Sequence, residues 1–113
     1  MIQSLPPPTA GLAARLLREV GFKQRIMGFR LRERTGPTPV TIYSFVEAVG
    51  FLYDQHPRID FAQLASWVNT VMGDAELAQL LHVVAALKAS HQRKTERFRE
   101  LMTERLLQCI EQR

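Results

Sequence analysis

Asp54, His56 and Asp60 form the only close cluster of histidine and acidic residues in the sequence. A protein metal site needs several such ligands converging on one point, with further polar groups behind them. His56 precedes a proline in a predicted turn, and Asp60 is explained as the cap of a helix. His82 and His91 would lie on different sides of a helix. We therefore expect no metal site.

The sequence offers no arrangement for nucleophilic catalysis. Cys109 is the single cysteine, and its place between Leu106 and Ile110 predicts a small buried residue rather than a reactive thiol. The glycine-rich loops typical of serine hydrolases, P-loop proteins and dinucleotide-binding proteins are missing from the sequence. We therefore expect a protein that is not an enzyme, needs no cofactor and has no small-molecule substrate.

Basic side chains are concentrated in residues 15–34, whereas the few charged side chains of residues 35–87 are mostly acidic. Phe22 and Phe29 lie among the arginines, as aromatic residues do in nucleic-acid stacking platforms. A basic amphipathic segment can also lie on an anionic membrane, which we expect less. The same aromatic residues are equally what a domain core requires. The candidate contacts for a partner or an anion are Arg15, Arg18, Lys23, Arg25, Arg30, Arg32 and Arg34.

Length and composition predict one globular domain. The chain has 113 residues, 46% of them hydrophobic, and a net charge of +4. A chain of this length buries enough surface to fold without disulfides. A signal peptide is not indicated, and no apolar run approaches the roughly 20 residues that span a bilayer. We expect a soluble cytoplasmic protein of a bacterium, with a flexible proline-rich tail over residues 1–8 and a single helical domain over residues 9–113.

The positions of helix-capping residues, glycines and prolines predict an all-α fold, a compact bundle of four or five helices. Thr9 would cap a first helix that runs to about Val20 and stops at Gly21. Residues 35–39 contain two prolines and a glycine and are predicted as a loop. Thr41 would then open a short helix that ends at Gly50.

Residues 22–34 are ambiguous. Met27, Phe29 and Leu31 alternate with glycine and arginine, which is the period of a half-buried strand. A helix fits less well, because Gly28 disfavours one by about 1 kcal/mol. One short strand near residues 26–32 is therefore an alternative, but no partner strand is evident.

Residues 60–87 give the clearest signal, a helical hairpin. Asp60 caps the first helix, Gly73 ends it, and Asp74 caps the second. The second helix is predicted to have a buried apolar stripe that runs from Leu77 to Leu87. Phe61 and Trp67 are expected in the core, with the alternative that Trp67 is exposed and marks a contact with a partner. A DNA-binding helix-turn-helix is disfavoured, because acidic residues open the second helix and would repel a phosphate backbone.

The last part of the chain presents a problem of length. One helix over residues 75–111 would be about 55 Å long, which exceeds a compact domain of this size. Either the helix breaks near Ser90–Thr95, or its last half projects and packs on a partner. The candidate residues for self-association are Phe98, Leu101, Met102, Leu106 and Ile110.

The sequence from Leu31 to Val83 pairs Thr35-Gly36 with the short segment TIYSFVEAV, followed by DFAQLASWVNTVMGD and AELAQLL. This succession resembles a family of uncharacterised prokaryotic domains of unknown function. Only His56 stands where such members often carry a histidine-rich stretch. The resemblance implies a helical domain and no activity.

The function expected from these patterns is a small protein-interaction or regulatory module. It would form homodimers through the C-terminal helix or residues 22–34, or bind another protein. The alternative is a nucleic-acid-binding protein that uses the arginine-rich segment 15–34.

Overall fold

The structure is a computed structural model that describes residues 5–32, 36–54 and 57–111, with the backbone alone for residues 31 and 32. Within these ranges the chain forms α-helices, a small sheet and one 3₁₀ turn. In chain order they are α1 (Ala10–Leu16), the 3₁₀ turn (Phe22–Gln24), β1 (Ile26–Arg32), β2 (Gly36–Ile42), α2 (Phe45–Leu52), β3 (Pro57–Arg58), α3 (Phe61–Thr70), α4 (Ala75–Ala85) and α5 (His91–Glu111).

The fold is α+β, so the expected all-α class is wrong, although the helical bundle is present. The strand alternative for residues 26–32 is confirmed by β1. Its partner β2 comes from residues predicted as a loop and as the start of a helix. The strands are antiparallel in the order β2-β1-β3. The local sequence predicted a loop there because it does not show that β1 supplies the hydrogen bonds that make β2 a strand.

β2 can contain two prolines because it is an edge strand. The register pairs Phe29 with Pro39 and Leu31 with Pro37, which are alternate positions of the ladder. Since proline has no N–H, these must be the positions that point away from β1. The outer edge of β2 therefore lacks two donors, which disfavours pairing with a strand of another molecule.

Helix α2 begins later and ends later than expected. Thr41 lies in β2, and the cap is Ser44, whose Oγ accepts a hydrogen bond of 3.0 Å from the Glu47 N–H. Gly50 lies inside the helix, which continues to Leu52. Helix α1 is capped by Thr9 as predicted but ends at Leu16, well before Val20 and Gly21.

The helical hairpin is confirmed. Asp60 and Asp74 each accept a hydrogen bond of 3.1 Å from the backbone N–H three residues on. Gly73 has a φ of 78°, the left-handed conformation that glycine adopts at helix ends. Phe61 and Trp67 are buried as expected. Leu87 lies beyond the end of α4 and is half-exposed, so its expected place in the buried stripe is wrong.

Helix α5 is the element around which the bundle is built. The helix breaks between α4 and α5. The Ser90 hydroxyl accepts a hydrogen bond from the Arg93 N–H in the first turn of α5. The 21 residues of α5 pack against α1, α2 and α4. The first of the two alternatives for this part of the chain therefore holds, and the helix does not project from the domain.

Candidate functional site

The last two turns of α5 have a charged side chain inside and apolar side chains outside. Arg105 is completely buried, whereas Leu107 is 55% exposed and Ile110 is 49% exposed. A helix that packs on one side only normally shows the opposite distribution. The inner side forms what we call the junction, and the outer side borders what we call the groove.

The junction centres on Arg105. Its Nε lies 2.8 Å from Oδ2 of Asp74, whose side chain is also completely buried. These two atoms are not aligned for a hydrogen bond. Nη1 donates to the Pro6 carbonyl oxygen at 2.9 Å and to Gln108 Oε1 at 3.0 Å. The guanidinium is thus neutralised and partly hydrogen-bonded within the chain, as a buried charge requires.

The junction also holds residues 5–8, which were expected to belong to the tail. The Leu5 N–H donates to Glu104 Oε2 at 2.7 Å, and the Gln108 amide donates to the Leu5 carbonyl oxygen at 2.7 Å. The Leu5 side chain is buried. Asp74 therefore has two tasks, since it caps α4 and neutralises Arg105. Because these polar groups bind one another, the junction is structural.

The groove lies between α1, α2 and the last turns of α5. It is a surface cavity of about 480 Å³ lined by Ala14, Leu17, Val46, Leu106 and Ile110. All five side chains are apolar. Val46 is 45% exposed, close to the value for Ile110. Exposed apolar patches of this kind mark interaction surfaces more often than isolated apolar residues do.

Gly50 adds a second feature to this side of α2. It is exposed inside the helix, and a Cβ built on it would meet nothing within 4 Å. Glycine inside a helix costs about 1 kcal/mol relative to alanine, and packing within the chain gives no reason for it here. Helix positions show that Val46 and Gly50 are one turn apart. A smooth, apolar strip of α2 therefore faces solvent.

The structure distributes the basic candidates over several environments. The Arg15 guanidinium lies against Gly73, and Arg30 forms an ion pair of 2.6 Å with Asp54. Arg18 and Lys23 are exposed, and Arg25 stacks on an aromatic ring. The side chain of Arg32 and the whole of Arg34 lie outside the described residues. The described basic side chains of the segment therefore differ in their surroundings, and two of them, Arg15 and Arg30, are engaged within the chain.

The aromatic residues of this segment are on the surface. Phe22 is 66% exposed and Phe29 is 46% exposed, so neither serves the core. The Arg25 guanidinium carbon lies 3.7 Å from the centre of the Phe22 ring. Trp67 donates to the Gln24 carbonyl oxygen at 2.7 Å, which anchors this turn on α3.

The candidate residues for self-association divide into two groups. Phe98, Leu101 and Met102 are buried in the chain's own core. Leu106 and Ile110 line the groove. Sequence reasoning did not find Val46, whose exposure depends on where α2 begins. It also missed Arg105, although the spacing from Leu101 to Cys109 places residue 105 on the buried stripe of α5.

The structure describes only some of the candidates for chemistry. Cys109 is buried, and this burial raises the pKa of its thiol, an effect that Arg105 opposes and Asp74 reinforces. In the described ranges no group of three histidine, cysteine or acidic side chains is placed to hold a metal ion. His56 lies outside these ranges, so the Asp54, His56 and Asp60 cluster is not described as a whole.

Comparison with other proteins adds no assignment. No family model, no curated protein and no solved structure matches the chain. Among the residues that the structure describes, no helix is both long enough and apolar enough to cross a bilayer.

Proposed function

We propose that the protein is a small, non-catalytic interaction module that forms a homodimer through the groove. The observation that carries this proposal is the apolar outer side of the last two turns of α5, beside the exposed Val46 of α2. In a monomer these side chains stay in contact with water. Burying a side chain such as valine or isoleucine contributes about 1.5–3 kcal/mol, so covering several of them stabilises an assembly.

A second copy is the occupant that fits the surface best. The surface combines a concave groove with protruding Leu107 and Ile110 side chains, so one copy can insert what the other receives. A two-fold arrangement uses the same patch on both subunits. It can also bring opposite charges together, because Arg18, next to the groove residue Leu17, is exposed and basic. Glu47 and Glu111, next to the groove residues Val46 and Ile110, are exposed and acidic.

We further propose that the protein works in the cytoplasm of a bacterium. The lone Cys109 is buried and has no disulfide partner, which fits the reducing cytoplasm of a bacterium.

Sedimentation velocity over a range of protein concentrations tests the dimer. We expect the wild-type protein to associate as the concentration rises, and Val46→Ser to weaken the dimer by about tenfold. Val83→Ser is the matched control, because Val83 is also exposed and helical but lies on α4, away from the groove. A wild-type protein that remains monomeric throughout, or equal effects of the two variants, would contradict the proposal.

Single-stranded nucleic-acid binding is a second candidate, favoured by the exposure of Phe22 and Phe29. Exposed aromatic rings beside basic side chains stack on bases, each stacked base contributing about 1–3 kcal/mol. Arg25 already lies on the Phe22 ring, and Lys23 is exposed beside it. Arg30 contributes less to this surface, because Asp54 neutralises it.

A gel-shift titration with a single-stranded oligonucleotide tests this candidate at several salt concentrations. We expect binding that weakens with salt and is reduced about tenfold by Phe22→Ala. Tyr53→Ala is the matched control, because Tyr53 is another exposed aromatic ring near an arginine, Arg99. Absence of binding at low salt removes the candidate.

A further inference from the structure

A second cavity lies at the other end of α5. It occupies about 350 Å³ between the end of α2, β3 and the first turns of α5. This volume is in the range of cavities that hold small molecules. The lining residues are Leu52, Asp54, Pro57, Arg58, His91, Gln92, Thr95, Glu96 and Arg99. We call this cavity the cleft.

The charges around the cleft do not cancel. Asp54 is engaged by Arg30 at 2.6 Å, so this carboxylate is neutralised from outside the cleft. Arg58 and Arg99 have no carboxylate partner in the part of the chain that the structure describes. Glu96 is the remaining acidic side chain of the lining. Two arginines therefore face one unneutralised carboxylate, which leaves an excess of positive charge.

The neighbouring contacts hold these groups in place. Arg58 pairs with Phe29 in the sheet, which fixes its backbone. The Arg99 guanidinium carbon lies 5.0 Å from the centre of the Tyr53 ring. The His91 ring packs against the Phe61 ring at an angle of 43°, with 4.8 Å between the ring centres, and its Nε2 is 2.9 Å from the Pro57 carbonyl oxygen. Since a carbonyl oxygen only accepts, Nε2 carries the proton in this contact.

We propose that the cleft binds a small molecule through an oxyanion group, a phosphate or a carboxylate, with Arg58 and Arg99 as its principal ligands. Guanidinium groups offer paired N–H donors that match the oxygens of both groups. Leu52 and Pro57 supply an apolar wall for the rest of the molecule. The proposal does not depend on the homodimer, because the groove lies at the opposite end of α5.

Titration with inorganic phosphate, followed by NMR chemical shifts at constant ionic strength, tests this site. We expect saturable shifts at residues of the cleft, and binding weakened by about tenfold or more in Arg99→Gln and in Arg58→Gln. Arg97→Gln is the matched control, since it changes the net charge equally on the same helix but Arg97 pairs with Glu100 outside the cleft. Titration with acetate in parallel shows which of the two oxyanions the cleft prefers.

A gain of affinity separates the proposal from a general loss of structure. Glu96→Gln removes the one unneutralised carboxylate of the lining, so phosphate should bind several-fold more tightly. Glu100→Gln, on the same helix but outside the lining, should leave the affinity unchanged. Shifts that do not saturate, no shifts at all, or equal responses of the cleft and control variants would overturn the proposal.

Discussion

The two sides of the last two turns of α5 differ in how their side chains are satisfied. On the inner side, Arg105 and Gln108 bind Asp74 and residues 5–6. On the outer side, Leu107 and Ile110 have water where a packed helix would have a neighbour. At this end of α5, the burial of a side chain therefore does not follow from its polarity. A charged residue can be structural and an apolar residue can be available to a partner.

The most severe test of the junction is Asp74→Ala. This change removes the buried counter-charge of Arg105 and leaves it only the exposed carboxylate of Glu76, at 3.6 Å. Breaking a buried pair in this way costs about 3–5 kcal/mol. The free energy of unfolding, measured by urea denaturation, should fall by that amount. The inner side would then be confirmed as a structural element.

Asp60→Ala is the matched control, because Asp60 and Asp74 are both aspartate caps with hydrogen bonds of equal length. Losing a cap alone costs about 1 kcal/mol. The excess of Asp74→Ala over Asp60→Ala therefore measures the task that only Asp74 has. If the two variants lose equal stability, the buried ion pair contributes nothing and the comparison between the two sides fails.

Gln108→Ala tests how firmly residues 5–8 are held. The variant loses the hydrogen bond to Leu5 and the one from Arg105, each of which contributes about 1 kcal/mol. Hydrogen exchange of the Leu5 amide should become faster as the segment loosens. Gln79→Ala is the control, because Gln79 is exposed on α4. Equal exchange in both variants would mean that Glu104 and Arg105 hold the segment without Gln108.

The starts of three helices were predictable, because a cap is a local event. Thr9, Asp60 and Asp74 each accept from an N–H within one turn of their own helix. The sheet was not predictable in the same way, because β2 acquires its conformation from β1. The proline positions carried a hint, since their spacing of two suits an edge strand.

The candidate surfaces divide in the same way, into features that depend on local sequence and features that depend on the folded chain. Leu106 and Ile110 were found from the spacing of apolar residues, but spacing does not show which members of a stripe the domain covers. Phe98 and Met102 are covered, and Ile110 is not. The cleft was beyond local reasoning, because Arg58 and Arg99 are far apart in sequence and meet only once α5 lies beside β3.

Gly50→Ala sharpens the outer side of the comparison. A Cβ at this position meets no other group within the chain, so the monomer should gain about 0.5–1 kcal/mol in helix stability. If a second copy approaches α2 closely at Gly50, the same change weakens association. Denaturation at low concentration and sedimentation at high concentration separate the two effects.

Gly28→Ala provides the contrast within the fold. Its Cβ would lie 2.6 Å from an atom of the Phe51 ring and 3.2 Å from the Arg58 carbonyl oxygen. Overpacking of this kind costs about 1–3 kcal/mol. A stabilising Gly28→Ala, or a destabilising Gly50→Ala in the monomer, would contradict our assignment of which glycine serves the domain and which faces solvent.

The smallest expected effect concerns Cys109, which shares the inner side with Arg105. Burial raises the pKa of its thiol in the folded chain. Above about pH 8.5 the unfolded chain loses this proton while the folded chain keeps it. The free energy of unfolding therefore falls as the pH rises toward the pKa of the thiol in the folded chain.

In Cys109→Ala this contribution is absent, whereas the contributions of all other groups remain. The stability difference between wild type and variant should therefore narrow between pH 8 and pH 10 in urea denaturation (about two pH units, enough to cross the ordinary thiol value). A difference that stays constant would mean that solvent reaches the thiol, and that the inner side of α5 is less closed than its buried ion pair requires.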